Sequence, residues 1–144
     1  MPIKNYTTEI SFIKSIGQIQ GSLVAHGAEA IMINYGTDKI PGSLSFSIGT
    51  KQGKLGFRLP ANIPGVLRAM EKQGLSARYT NPNHAARVGW RIVKDWVEAQ
   101  MAILEAEMVS IEEIFLPYLL TDGKNTLYQK MLDKGFPKLE AGND

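Results

Sequence analysis

Cysteine is absent from the 144 residues. That removes disulfide frameworks, thiolate metal sites and cysteine nucleophiles together, and it fits a reducing cytoplasm. Histidine is almost as scarce. His26 and His84 are the only two, too few for a His-rich metal centre, and neither lies in an HExxH-type spacing. No apolar run approaches the roughly 18 residues a membrane span needs, and MPIKNYTTEIS has no apolar signal core. A cytoplasmic protein with no membrane partner is the expectation. Charge of one sign is also lacking: a formal net charge of +2 does not announce a nucleic-acid binder, so any basic patch must arise from local clustering.

Enzyme machinery is missing too. GTKQGK (49–54) lacks the G-x-x-x-x-G-K-[ST] spacing of a phosphate loop and falls in a hairpin. Ser43, Ser45 and Ser47 have no evident histidine and aspartate partners. Glu98 and Glu105 share a helix face, but seven residues separate them by roughly 10 Å along the axis, and no histidine stands beside them. These absences argue against an enzyme and assign no catalytic residue, metal or cofactor.

What remains is an ordinary foldable composition, 44% hydrophobic and 21% charged, in one domain long enough to bury a core. Residues 6–13 (YTTEISFI) are β-rich. Ser15 and Gln18 then form a capping box, with Ile16, Ile19 and Leu23 as the apolar stripe and Gly27 as a left-handed cap. His26, just before it, suits a capping or dipole role. Gly17 and Gly21 make a GxxxG, read as close packing. EAIMINY (29–35) is a strand. In SLSFSIGTKQGKLGFRLP, Leu44, Phe46 and Ile48 alternate with Ser43, Ser45 and Ser47, and Leu55, Phe57 and Leu59 alternate with Lys54, Gly56 and Arg58. That is a hairpin turning at 51–53. Asn62 and Pro64 start a helix that Gly74 ends, with Val66, Leu67 and Met70 inward.

The fold expected is therefore α+β. An N-terminal β-α-β-β-β-α unit with an antiparallel sheet (1–73) precedes a helical part (84–135), joined at the polar stretch 74–83. The helical part holds one long helix opened by Asn81 and Pro82 and two shorter ones. Ser110 with Glu113 starts the first of these, a short helix through FLPYLL that Pro117 kinks or shortens. The second runs from Thr126 to about Lys134 and is closed by Gly135 and Pro137, with EAGND as a frayed tail.

NHAARVGWRIVKDWVEAQMAILEAEM (83–108) is the most informative run. Val88, Trp90, Ile92, Val93, Trp96, Val97, Ala99, Met101, Ile103 and Leu104 cover more than half the circumference, so burial on two sides is expected, by the sheet unit and by C-terminal helices or a second subunit. Gln100 and Glu107 inside that arc, with Gly89 permitting close backbone approach, suit an interface of a homo-oligomer or a wet groove within one monomer. Trp90 and Trp96 read as core.

The helix carries its charges against the macrodipole. His84, Arg87, Arg91 and Lys94 lie in its first half, and Asp95, Glu98, Glu105 and Glu107 in its second, whereas the dipole prefers the reverse. One reading is a self-paired solvent stripe, Arg91 with Asp95 and Lys94 with Glu98 at i,i+4, each pair contributing only about 0.2–0.5 kcal/mol. The other is an anion site, with Arg87 and Arg91 carrying the charge, Arg58, Arg78 and Lys94 supporting them, Tyr79 stacking, and His84 either a surface residue or a ligand contact. The hairpin's Lys51 and Lys54 are further candidates.

KNYTTEIS, IMINY, FRLPANIPGV, AARVGWRIVKDWVEAQMAILEAEM, EEIFLPYLL and TLYQKM together span nearly the whole chain. In them the protein resembles a small uncharacterised family that recurs in tailed-phage and prophage genomes. The resemblance brings no activity and no catalytic residue with it. It implies a phage or mobile element expressed in the bacterial cytoplasm, where small accessory proteins commonly bind nucleic acid or disable a host defence. The leading expectation is a non-catalytic protein that binds phosphate groups of a nucleotide or nucleic acid. The rival is a counter-defence protein that sequesters a host cyclic nucleotide signal or blocks a host protein, docking through the hairpin's Ser/Gly face or an exposed helix. A purely structural phage component is a third.

Overall fold

The computed structural model describes residues 1–140; from residue 141 onward the tail EAGND lies outside the described residues. The elements run α1 (Phe12–Ala25), β1 (Ala28–Tyr35), β2 (Pro41–Thr50), β3 (Gly53–Pro60), α2 (Ile63–Lys72), α3 (Pro82–Glu105), α4 (Ile111–Phe115), a single 3-10 turn (Leu116–Tyr118) and α5 (Leu127–Lys134). The three strands form an antiparallel meander in the order β1-β2-β3. Leu44 opposes both Ile33 and Leu59, and Phe46 opposes both Ile31 and Phe57, so one sheet face is continuously apolar. Leu119 bridges to Phe57 and covers part of the open edge of β3.

Residues 6–13 do not form the expected first strand. The chain turns there, with Tyr6 N–H on the Ile3 carbonyl and Thr8 N–H on the Asn5 carbonyl, and Asn5 takes a left-handed φ of 66°. Tertiary partners decide the outcome: Lys4 Nζ and Asn5 Nδ2 reach the Asp95 carboxylate at 2.8 and 2.9 Å, and Ile3 N–H reaches Gln73 Oε1 at 2.8 Å. The first helix starts at Phe12, where Ser11, not Ser15, is the cap and accepts from Lys14 N–H. Ser15 is buried inside the helix. The helix starts one turn before the expected box, and the box's serine is taken into its buried face. The N-terminal unit is thus α-β-β-β-α.

Most remaining boundaries follow the sequence, but the helix expected through FLPYLL ends at Phe115 and passes into the 3-10 turn that holds Pro117. Asn62, Asn81, Ser110 and Thr126 each cap a helix with a side-chain oxygen, the last two as full capping boxes. Gly27, Gly74 and Gly135 take positive φ just past helix ends, where only glycine adopts that backbone freely.

Two helices cover the apolar face of the sheet side by side. On the β3 side, α3 brings Gly89 against the Ala61 carbonyl; a Cβ there would lie 3.3 Å from that oxygen and 2.9 Å from Ile63 Cδ1. Trp90 is fully buried and donates its Nε1–H to the Pro41 carbonyl at 2.9 Å. On the β1 side, α1 packs along α3 and over β1, burying Ile16, Ile19 and Leu23. The wide apolar arc of α3 is therefore covered from within the chain, by α1, α2, the sheet and Phe115. Gly89 owes its place to that intrachain approach. Ala99 and Glu107 are exposed and Gln100 is half-buried, so the arc is narrower than its sequence projection.

The GxxxG of α1 behaves differently from Gly89. A Cβ on Gly17 or Gly21 would meet nothing within 4 Å. Each mid-helix glycine costs about 0.5–1 kcal/mol relative to alanine, and among the described residues no contact uses the space that it leaves.

His26 fastens the far ends of the two helices. Its Nδ1 lies 2.7 Å from the Ser22 carbonyl and its Nε2 2.9 Å from Glu105 Oε1, so the capping role read from sequence gains a partner 79 residues away. The Ser22 carbonyl, and secondarily the Glu105 carboxylate, raise its pKa above the ordinary 6.5 against the opposing pull of desolvation. A raised value means that the folded state holds the proton more tightly than the unfolded chain does. The resulting stabilisation is complete below about pH 6.5 and is lost as the pH rises through the folded-state value. Thermal melts of the wild type and of His26→Ala should accordingly differ most in acid and converge on the alkaline side. A difference independent of pH would show that the ring acts through neutral contacts alone.

Candidate functional site

The start of α3 gathers most of the residues that the sequence singles out. Asn81 Oδ1 accepts from His84 N–H, and Asn81 Nδ2 donates to the Arg78 carbonyl, which joins the preceding loop to the helix. His84 is buried. Its Nε2 meets the Tyr6 carbonyl, and its Nδ1 lies 3.2 Å from Arg87 Nη2. A carbonyl only accepts and a guanidinium only donates, so these partners fit the Nε2–H tautomer. With both ring nitrogens engaged, His84 is no surface residue and holds the loop at Tyr6 and the Arg87 guanidinium. Tyr79 lies edge-on to Tyr6, with ring centroids 5.5 Å apart, and the Arg78 guanidinium sits 5.1 Å from the Tyr79 centroid.

One turn along the helix, Arg91 Nη1 donates to Gln18 Oε1 at 2.6 Å and, more weakly, to Ser15 Oγ at 3.4 Å. Both partners belong to α1. Arg87 Nε is buried without any hydrogen-bond partner, an arrangement that costs about 1–3 kcal/mol for a neutral donor and more for a charged one. Among the described residues no ion pair involves Arg78, Arg87 or Arg91. Their contacts are with neutral groups.

The acids of the same helix are compensated. Asp95 is taken by Lys4 and Asn5, which, with weaker help from Lys94, hold its carboxyl below the usual range. Glu98 pairs with Lys94, and Glu105 with His26. So of the two expected i,i+4 pairs, Lys94–Glu98 forms and Arg91–Asp95 does not. The competitor for Asp95 is a segment 90 residues earlier in the chain.

Two proposed supporting residues leave the site. Lys94 is flanked by Glu98 and Asp95 and has little free charge to offer. Arg58 pairs across from Ser45 on the sheet face opposite α3, and its Nη2 donates to Gln129 Oε1 of α5 at 2.9 Å. The hairpin lysines lie apart as well: Lys51 is an exposed turn residue, and Lys54 crosses Gly49 to meet Glu29 at 3.4 Å. Conversely, sequence reasoning passed over Tyr6, Ser15 and Gln18. The only visible sign was the i,i+3 spacing of Ser15 and Gln18, which places them on one side of a helix.

Two apolar hollows lie away from these arginines. Trp96 is half-buried against Phe115 and Tyr118, and with Leu59, Pro60, Ile92 and Val93 it lines a hollow of about 200 Å³. A second hollow, of about 240 Å³, lies on the far sheet face between Ala30, Met32, Ser45, Ser47, Gly56 and Leu120. Among the described residues no group of three or more His, Asp or Glu side chains could hold a metal ion, and no helix is long and apolar enough to cross a membrane.

Fold and site together define a class: an α+β protein with a three-strand antiparallel sheet and, among the described residues, five α-helices, bearing arginines uncompensated by carboxylates at the start of its longest helix. No protein-family model, no curated protein and no solved structure matches the chain.

Proposed function

We propose that the protein is a non-catalytic accessory protein of a phage or mobile element that binds phosphate groups of a nucleotide or nucleic acid at the start of α3. Arg87 and Arg91 carry the charge, and Arg78 with Tyr79 supplies an exposed cation stacked on an aromatic ring. The observation that supports this reading is that both guanidiniums have only neutral partners, His84 for one and Ser15 with Gln18 for the other. Neutral partners orient a cation without cancelling it, and a phosphate can replace Gln18 or add to it.

The test is fluorescence anisotropy with two probes, a labelled single-stranded oligonucleotide and a labelled cyclic dinucleotide. A hydrogen bond to a charged group contributes about 1.5–3 kcal/mol, so Arg87→Ala/Arg91→Ala should weaken binding on the order of 100-fold or more. Lys94→Ala, whose charge is already spent on Glu98 and Asp95, should change it by only about 2-fold, within the range of a surface ion pair. A steep fall of affinity with salt marks many phosphate contacts and the nucleic acid, and a shallow one marks a small nucleotide. Binding unchanged in the double variant, or no binding of either probe, would sink the proposal.

A second reading, a counter-defence protein that docks on a host protein, draws on the hairpin's Ser/Gly face. Ser45 there is buried and Ser47 Oγ is buried without a hydrogen-bond partner, both lining the 240 Å³ hollow. Capture of a host protein that resists nuclease and is lost with Ser45→Arg separates it from the first.

A further inference from the structure

We infer that Lys4 and Asn5 are positioning residues for the arginine site: they hold the Asp95 carboxylate away from Arg91 and so leave that guanidinium available to an anion. What the available arginine binds rests on the phosphate reading; how it is kept available concerns the free protein alone. Arg91 and Asp95 stand at i,i+4 on α3, the spacing at which a guanidinium and a carboxylate meet on one helix face. They do not meet. Arg91 Nη1 turns instead to Gln18 Oε1 and Ser15 Oγ of α1, at 2.6 and 3.4 Å.

The Asp95 carboxylate is occupied elsewhere. Its Oδ2 accepts from Lys4 Nζ at 2.8 Å and from Asn5 Nδ2 at 2.9 Å. Its Oδ1 faces Lys94 Nζ at 3.6 Å, and that ammonium already pairs with Glu98. The Lys4 contact by itself is weak, because the lysine side chain is 64% exposed and exposed ion pairs contribute little. The Asn5 amide, in a partly buried hydrogen bond, adds a second donor to the same oxygen. Against these stands one arginine with the basic residue ahead of the acidic one, the weaker order on a helix.

The turn that presents Lys4 and Asn5 has anchors of its own besides Asp95. Ile3 N–H donates to Gln73 Oε1 at 2.8 Å, and Thr8 N–H to the Asn5 carbonyl at 3.0 Å. Tyr6 lies edge-on to Tyr79, and its carbonyl takes the Nε2–H of His84. That last contact reaches the other arginine, because it leaves the ring's Nδ1 to accept from Arg87. One short segment therefore sets the surroundings of both cations. It draws a carboxylate off Arg91 and gives Arg87 a neutral acceptor.

The choice of partner matters because of how a guanidinium is filled. A carboxylate takes its N–H groups in pairs and cancels its charge, so an incoming phosphate has to displace it. The Gln18 carbonyl takes one N–H and leaves the charge in place. Without Lys4 and Asn5, Asp95 is left with Lys94, which Glu98 shares, and with Arg91 one turn away.

The experiment joins binding to a measurement on the free protein. Asn5→Gly removes the amide without changing charge, and glycine freely adopts the φ of 66° found there. Lys4→Met/Asn5→Gly should weaken binding of the labelled oligonucleotide and the labelled cyclic dinucleotide by about 10-fold, the low end for one hydrogen bond to a charged group. Adding Asp95→Asn should restore wild-type affinity to within about 2-fold, the scale of the Lys4 charge still missing. A turn that had merely come loose would not be mended by that third change. In the free protein, the Arg91 guanidinium NMR signals should respond little to Asp95→Asn alone. In the Lys4→Met/Asn5→Gly background, where Asp95 has moved onto Arg91, the same change should shift them. Binding unchanged in the double variant, no rescue by Asp95→Asn, or guanidinium signals equally indifferent to Asp95 in both backgrounds overturns the inference. If neither probe binds the wild type, the phosphate reading fails, and the guanidinium signals alone decide whether Lys4 and Asn5 keep Asp95 off Arg91.

Discussion

Replacing Trp90 with alanine is expected to lower stability by about 3–5 kcal/mol, the range for a fully buried large aromatic. For a chain between the usual size classes that corresponds to a fall in melting temperature on the order of 10–20 °C. The size of the effect has two sources that a second variant separates. The ring is 0% exposed in the middle of α3, and its Nε1–H is the donor to the Pro41 carbonyl at the start of β2. The pairing of β1 with β2 shifts register there, between Asn34 and Tyr35, and Pro41 itself is fully buried. Trp90→Phe keeps most of the volume but leaves that carbonyl unpaired, at about 1–3 kcal/mol. Chemical denaturation should therefore rank the proteins wild type, Trp90→Phe, Trp90→Ala, in well-separated steps. If the phenylalanine variant matched the wild type, the hydrogen bond would contribute nothing and packing would be the whole account.

The second large effect is expected at Phe115. The ring closes an aromatic cluster, lying 5.1 Å from Phe46, 5.6 Å from Phe57 and 5.8 Å from Trp96 between centroids. Phe115→Ala should cost about 3–5 kcal/mol as a cavity, with up to about 1 kcal/mol more for each aromatic pair lost. What distinguishes this site from Trp90 is where the damage shows. α5 buries no residue of its own, and the C-terminal elements hold to the sheet through Phe115, the Leu119–Phe57 bridge and the Arg58–Gln129 hydrogen bond. Amide exchange should accelerate across residues 111–134 well before it does in β2. A uniform acceleration would mean that the C-terminal helices unfold only with the whole domain.

Much of this architecture was written in local chemistry. Four caps, three glycines past helix ends and the alternation of the hairpin specify α2 to α5 and β2 with β3, because each is decided within a few residues. The first eleven residues were not legible that way. YTTEISFI has the composition of a strand, but Asp95 and Gln73 recruit residues 3–5 into a turn, and Ser11 caps a helix that takes Phe12 and Ile13. The arginine site divides along the same line. Periodicity placed Arg87 and Arg91 on one helix face, while the burial of His84 and the partners of Arg91 depend on segments 73 to 78 residues away in sequence. Arg58 was misplaced for a plainer reason: strand alternation shows that it faces away from Leu59, not which face α3 covers.

The unequal bookkeeping of charge along α3 has a kinetic consequence. The acids near its end are matched by Lys4, Lys94 and His26, whereas the arginines near its start are not. The peptide dipoles place roughly half a positive charge at that same end. The two fields add, leaving the rod electrically one-ended, with a positive lobe that reaches about 8 Å into physiological salt. If the proposed phosphate ligand is a polyanion, this field would turn it and draw it in before contact, so the imbalance would act on the rate of encounter more than on how long a complex lasts.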